Sequence, residues 1–196
     1  MAAAERAFAE SGFAGARTDF IAAQAGVNKS LLYYYFGSKQ GLYEAVLEDH
    51  FKEFTHQALE ILHGTGSARD ILLRYISLQF DFISERHRHA ALFQQFVSDG
   101  GKKSETLVHK YLKPRTQALG ALLERGMNDG EFRRCDRLHA GLSIGALIVF
   151  YFSAEPVLRM LGHSDLYTEE NLKRRKQEVL AFIRHALFTE PNTVER

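Results

Sequence analysis

Thr18, Asn28, Lys29, Ser30, Tyr33, Tyr34 and Lys39 crowd the start of the chain, and together they suit chemistry on a polyanion. Amide and ammonium groups donate to base edges, while hydroxyls reach phosphate oxygens. Asn28, Lys29, Ser30, Tyr33 and Tyr34 fall at or near the N-terminal end of one short helical stretch, the end that a helix-turn-helix inserts into the major groove. Lys39 follows in the first turn of the next helix, a cation beside a positive helix end and a good phosphate anchor. Such groups need a rigid support. Ala22 is small where two helices cross, Gly26 four residues later permits a sharp turn, and Ile21, Val27 and Leu32 fill the space between. Spacing alone also fits an ordinary helical hairpin. Tyr33, Tyr34 and Tyr35 in a row cannot all face one core, so some must face solvent or a partner.

Apolar residues recur at three- and four-residue spacing along the whole chain, which makes it all-α. A division near residue 47 separates a three-helix part (1–47), a candidate helix-turn-helix DNA-binding domain, from a larger helical part (48–196), a candidate ligand-binding and dimerisation domain. The first has helices expected over 2–11, 18–25 and 29–36, punctuated by Gly12, Gly15, Gly26 and Gly37. Ser38 caps a longer helix that runs to Gly64. Ser67 starts another whose apolar residues lie all round it, a candidate pocket wall. Gly100 and Gly101 break the chain, Pro114 breaks or opens a helix, and Asp136 caps a long apolar helix toward Leu161, bent near Pro156. Thr168 caps the last helix, and a loose tail is expected from Pro191.

The chain has 196 residues, 45% hydrophobic and 25% charged, the balance of a soluble globular protein. Its net charge of +1 announces no nucleic-acid partner, so any such reading rests on placement. The first residues lack the basic start and apolar stretch of an export signal, and the cytoplasm is the expected compartment. Residues 140–154 form the longest nearly apolar run, short of the roughly 20 that cross a bilayer, so no membrane partner is expected. No His-Glu-x-x-His or phosphate-loop pattern occurs, which argues against an enzyme, and no catalytic residue or cofactor is expected. His87 with His89, and His56 with His63, lack a companion ligand at metal spacing and read as solvated histidines.

Aromatics are abundant. Phe54, Tyr75, Phe80, Phe93, Phe96 and Tyr151 suit a cavity for an apolar or aromatic small molecule, with Gln79 and Tyr111 as polar contacts, although dense packing explains any one of them as well. Gly141 and Gly145, four apart, allow close helix approach in a core or an interface, with Val149 on the same helix. The stripe Val179, Phe182, Ile183, Ala186 on the last helix tilts the pair toward a homodimer interface.

Ile21-Ala22, Ala25-Gly26-Val27, Lys29, Leu32-Tyr33, Tyr35-Phe36, Ser38-Lys39 and Leu42 form a phrase that closely resembles the TetR family of bacterial transcriptional regulators. Ala9-Glu10-Ser11-Gly12-Phe13 and Thr18 match the same pattern upstream. The resemblance implies a homodimer joined by its last two helices, and a repressor released from a palindromic operator in double-stranded DNA when a small organic ligand binds the second domain. It assigns Lys29 and Ser30 to base or backbone contacts, and Thr18, Tyr33, Tyr34 and Lys39 to phosphates. A ligand-blind architectural DNA binder and, more remotely, an all-helical enzyme are the competing readings.

Overall fold

A computed structural model describes residues 1–98 and 104–190. The expected break at Gly100 and Gly101 and the tail from Pro191 lie outside these residues, as do the side chains of His87 and His89. The helices are α1 (Ala2–Gly15), α2 (Thr18–Gln24), α3 (Lys29–Phe36), α4 (Lys39–Leu62), α5 (Ala68–Glu85), α6 (His87–Ser98), α7 (Glu105–Leu107), α8 (Lys113–Asn128), α9 (Arg137–Ser153), α10 (Glu155–Met160) and α11 (Glu169–Leu187). A π-turn, Val108–Leu112, joins α7 to α8.

Local chemistry sets most of these limits. Asn28, Asp136 and Thr168 each accept an N–H three residues on, from Leu31, His139 and Asn171, so α3, α9 and α11 start where their caps stand. Gly12 leaves helical geometry at φ 65°, yet the helix resumes and reaches Gly15, four residues past the expected end. The long apolar helix is not merely bent near Pro156. It stops at Ser153, and α10 begins afresh with the proline in its first turn. A proline ring excludes the carbonyl four residues back. That carbonyl, on Phe152, accepts instead from the Tyr167 hydroxyl at 3.2 Å.

The chain forms two compact units, one of residues 1–56 and 85–114, the other of 57–84 and 115–196, with α4 contributing to both. In the first unit α6 packs on α1, and Phe8, Ile21, Ala22, Leu32, Tyr43, Leu47, Phe51 and Phe96 share one buried cluster. His50 is buried there, and burial holds its imidazole below the usual histidine value against the opposing pull of Glu5. At the π-turn Lys110 and Tyr111 both donate to Glu48 Oε1, at 2.6 and 2.7 Å, and Thr55 donates to the Tyr111 carbonyl at 3.4 Å.

In the second unit α5 starts under a long-range cap: both Glu131 carboxylate oxygens accept backbone N–H groups, from Ala68 and Arg69, at 2.9 Å. Arg69 in turn donates to the Glu131 carbonyl and the Thr189 hydroxyl, and Phe132 pairs with Phe188 in an isolated antiparallel bridge. The buried Phe132 ring lies over Gly126, where a Cβ would stand 2.2 Å from a ring carbon.

Gly126→Ala therefore lowers the melting temperature, because overpacking of about 1–3 kcal/mol exceeds the helix-propensity gain of up to about 1 kcal/mol; differential scanning calorimetry checks the sign. His50 gives a pH prediction. The unfolded chain binds a proton that the folded chain declines, so stability present above the ordinary histidine value of about 6.5 is lost as pH falls below it. Urea melts between pH 7 and 5 should show a shallower loss in His50→Gln than in the wild type.

Candidate nucleic-acid interface

The helix-turn-helix is built on a tight backbone turn. Val27 N–H donates to the Ala22 carbonyl at 3.0 Å and Gly26 N–H to that of Ala23 at 3.1 Å, with Gly26 at φ 69°, a conformation that side chains disfavour. Asn28 then turns its Oδ1 to the Leu31 N–H at 2.7 Å, starting α3 and leaving its amide NH2 to donate outward. Leu32 alone of α3 is buried, and it anchors the helix to Ile21 and Ala22.

Phe36 packs partly against the same cluster, and the rest of α3 faces solvent. Tyr34 is 81% exposed and Tyr35 71%, with their rings edge to face at 5.3 Å. Lys29 and Ser30 are exposed as well, and the Lys29 ammonium lies 5.8 Å from the Tyr33 ring centre. Tyr33 is half committed. Its hydroxyl shares a hydrogen bond of 3.2 Å with that of buried Thr18, which ties the start of α2 to the middle of α3. Lys39 is also engaged, donating to the Ala14 carbonyl at 3.2 Å and lying 5.0 Å over the Phe13 ring, so it braces the end of α1 against α4.

Asn28, Lys29, Ser30, Tyr33 and Tyr34 thus share α3 and its cap, buried Thr18 joins them through the Tyr33 hydroxyl, and Lys39 is turned instead toward the end of α1. Tyr35 belongs with the α3 residues, and the tyrosine triplet is the signal that points to it. Arg17 and Asp19, a paired cation and anion either side of Thr18, carry no such signal. An open groove of about 530 Å³ runs between Ala7, Glu10, Ser11, Gly15, Ala16, Arg17, Asp19 and Phe20, and it contains none of the expected ligand residues.

Those ligand residues divide between the units. Phe54, Phe93, Phe96 and Tyr111 belong to the first, and Tyr75, Gln79, Phe80 and Tyr151 to the second. Tyr111 and Tyr151 spend their hydroxyls inside the protein, on Glu48 and on the Leu166 carbonyl. Gln79 Oε1 is buried with no hydrogen-bond partner among the described residues. In the second unit Gly141, Gly145 and Val149 are partly buried on α9. Val179 and Ile183 point into their own unit, which leaves Phe182 and Ala186 as the exposed part of the α11 stripe. Leu138, Leu142 and Phe150 add large exposed apolar side chains on α9.

Comparison with known proteins gives the family. Residues 1–46 match the family model of bacterial regulatory proteins, tetR family, and residues 100–183 match a tetracyclin repressor-like C-terminal domain. The transcriptional regulator RutR of Escherichia coli is 51% identical over 169 residues, 86% of this chain and 79% of that protein. The chain belongs to the TetR family. The transcriptional repressor NicS of Pseudomonas putida is 27% identical over 93% of this chain and 86% of its own length. The solved structure of the ketosteroid transcriptional regulator KstR2 of Mycobacterium tuberculosis superposes with a TM-score of 0.80 over 96% of this chain and 93% of that one, at 18% identity, a likeness of fold. This TetR-family protein is a transcriptional regulator that binds DNA through its helix-turn-helix. Among the described residues no helix is long and apolar enough to cross a membrane.

The Thr18–Tyr33 bond and the Asn28 cap generate one prediction. Asn28→Ala lowers stability by about 1 kcal/mol through the lost cap, whereas Tyr33→Phe, which keeps the ring, lowers it by about 0.5–1.5 kcal/mol. Chemical denaturation of both variants reads these losses, and no loss in either contradicts the corresponding structural role.

Proposed function

We propose that this regulator is a homodimeric repressor that leaves a palindromic operator when a small organic ligand binds within residues 48–196, while residues 1–47 read the DNA. The observation that carries the DNA-reading part is the outward face of α3. Tyr34 and Tyr35 stand in solvent beside Lys29, Ser30 and the Asn28 amide, and a core has no use for that arrangement. Lys29 and the Asn28 amide are suited to guanine acceptors in the major groove, and the tyrosine hydroxyls to flanking phosphates. Lys39 and Thr18 act mainly through the frame they hold.

Pairing of two copies is supported by the apolar side chains that α9 and α11 leave exposed, Leu142, Phe150 and Phe182 among them. Two heads related by a twofold axis read half-sites about one helical turn apart, which is why the operator is palindromic. The ligand reading is supported by Gln79, whose buried oxygen lacks a donor in a helix otherwise lined by Tyr75, Ile76, Phe80 and Ile83. An unsatisfied buried acceptor costs about 1–3 kcal/mol, which a ligand hydroxyl or N–H would relieve. The exposed residues of α3 act at the duplex itself, so repression follows from occupancy and release from ligand.

Gel-shift titration against the DNA upstream of its own gene tests this. The wild type should protect a palindrome, and Lys29→Ala should weaken its binding by about 1–3 kcal/mol and relax one base position. Tyr34→Ala should weaken binding to all duplexes alike. Wild-type protein that shows no sequence preference at low salt, or both variants binding as the wild type does, defeats the proposal.

A further inference from the structure

Arg17 and Asp19 form a two-point pair beside Thr18. Arg17 Nη2 donates to Asp19 Oδ2 at 2.7 Å and Nε to Oδ1 at 3.3 Å, and Oδ1 also accepts the Phe20 N–H at 2.9 Å. The carboxylate is held below the usual range, first by the Arg17 hydrogen bonds and then by the Phe20 N–H, with the Lys29 charge adding to the effect. Both side chains are solvent-exposed, at 77% and 49%. A fixed negative charge therefore stands among the cations of the surface that meets DNA.

Stability does not account for it, because an exposed pair this close in sequence contributes little. An acidic residue in a first helical turn is common. The guanidinium held by this one is a less common consequence. Arginine's planar fork matches a phosphate as well as it matches a carboxylate, so while Asp19 holds it Arg17 is withheld from the DNA backbone.

We infer that Asp19 is a specificity-determining residue of the DNA-reading head, keeping Arg17 off the phosphates of non-cognate DNA and releasing it only on a matched site. Non-cognate binding is held by phosphate contacts alone, so each cation withdrawn from that set weakens it directly. On a matched duplex, base contacts from α3 seat the head closely enough for a phosphate to compete for the guanidinium. Asp19 retains the Phe20 N–H when Arg17 leaves, so the carboxylate is not stranded. The sequence-independent part of affinity falls more than the specific part, and discrimination rises. This inference rests on the proposed role of α3 as the DNA-reading helix.

The test begins with a duplex selected from a random library by the wild-type protein, paired with a scrambled duplex of equal length. Affinities for both are measured across salt for the wild type, Asp19→Asn, Arg17→Ala, the double variant and Glu10→Gln, a charge control on the neighbouring groove wall. Asp19→Asn should bind scrambled DNA about three- to fivefold tighter, the limit set by an exposed ion pair, with a salt slope steeper by about 0.9, the value of one added phosphate contact. Its ratio of matched to scrambled affinity should fall accordingly. In the Arg17→Ala background the same change should move that ratio less than about twofold, the mark of an effect exerted through Arg17. An unchanged ratio in Asp19→Asn, an equal loss in Glu10→Gln, or a loss that persists without Arg17 overturns the inference. A wild type that selects no sequence removes the DNA-reading assignment itself, and this inference with it.

Discussion

The backbone bond from Val27 N–H to the Ala22 carbonyl closes a turn that requires a left-handed residue at Gly26, and the rest of the DNA-reading edge depends on that closure. It fixes α3 against α2 through Leu32, Ile21 and Ala22, and so decides which side of α3 is left over. Three tyrosines then fall to different fates. Tyr33 is bracketed to Thr18, while Tyr34 and Tyr35 are left in solvent with Lys29 and Ser30. A reading surface made this way needs no side chain to order itself at the moment of contact except those that touch DNA, which limits the entropy lost on binding.

Around that turn, several of the head's own polar groups are committed to holding it. Lys39 braces Ala14 and Phe13, Asn28 caps α3, and Arg17 is held by Asp19. Lys29 stays exposed on α3, so the cations around the turn divide between the frame and the surface. Arg17 and Lys39 are tethered within the head before DNA arrives.

Much of this is legible in the sequence where the signals are local. The bounds of α3 follow from the Gly26 turn and the Gly37 stop, and the outward face of the helix from three adjacent aromatics that one core cannot hold, whereas the Asn28 cap emerges only from the structure. The caps of α9 and α11 are equally local. Long-range chemistry is not legible in the same way. The Glu131 carboxylate caps α5 from more than sixty residues away, by hydrogen bonds to Ala68 and Arg69, and no spacing in the sequence marks it. Pro156 by itself implies a bend, but with the Tyr167 hydroxyl in place to satisfy the Phe152 carbonyl, α9 ends outright. The α11 stripe reads as one surface, yet helical geometry turns Val179 and Ile183 inward and Phe182 outward. The Arg17–Asp19 pair is visible in sequence only as cancelling charges, because pairing depends on side-chain direction.

Entry of α3 into the major groove is tested most directly by methylation interference on the selected operator, since guanine N7 lies in the major groove and adenine N3 in the minor. Methylated guanine N7 should block binding at symmetric positions in two half-sites about one helical turn apart. Interference confined to adenine N3, or spread evenly along the duplex, would contradict a major-groove role for this helix.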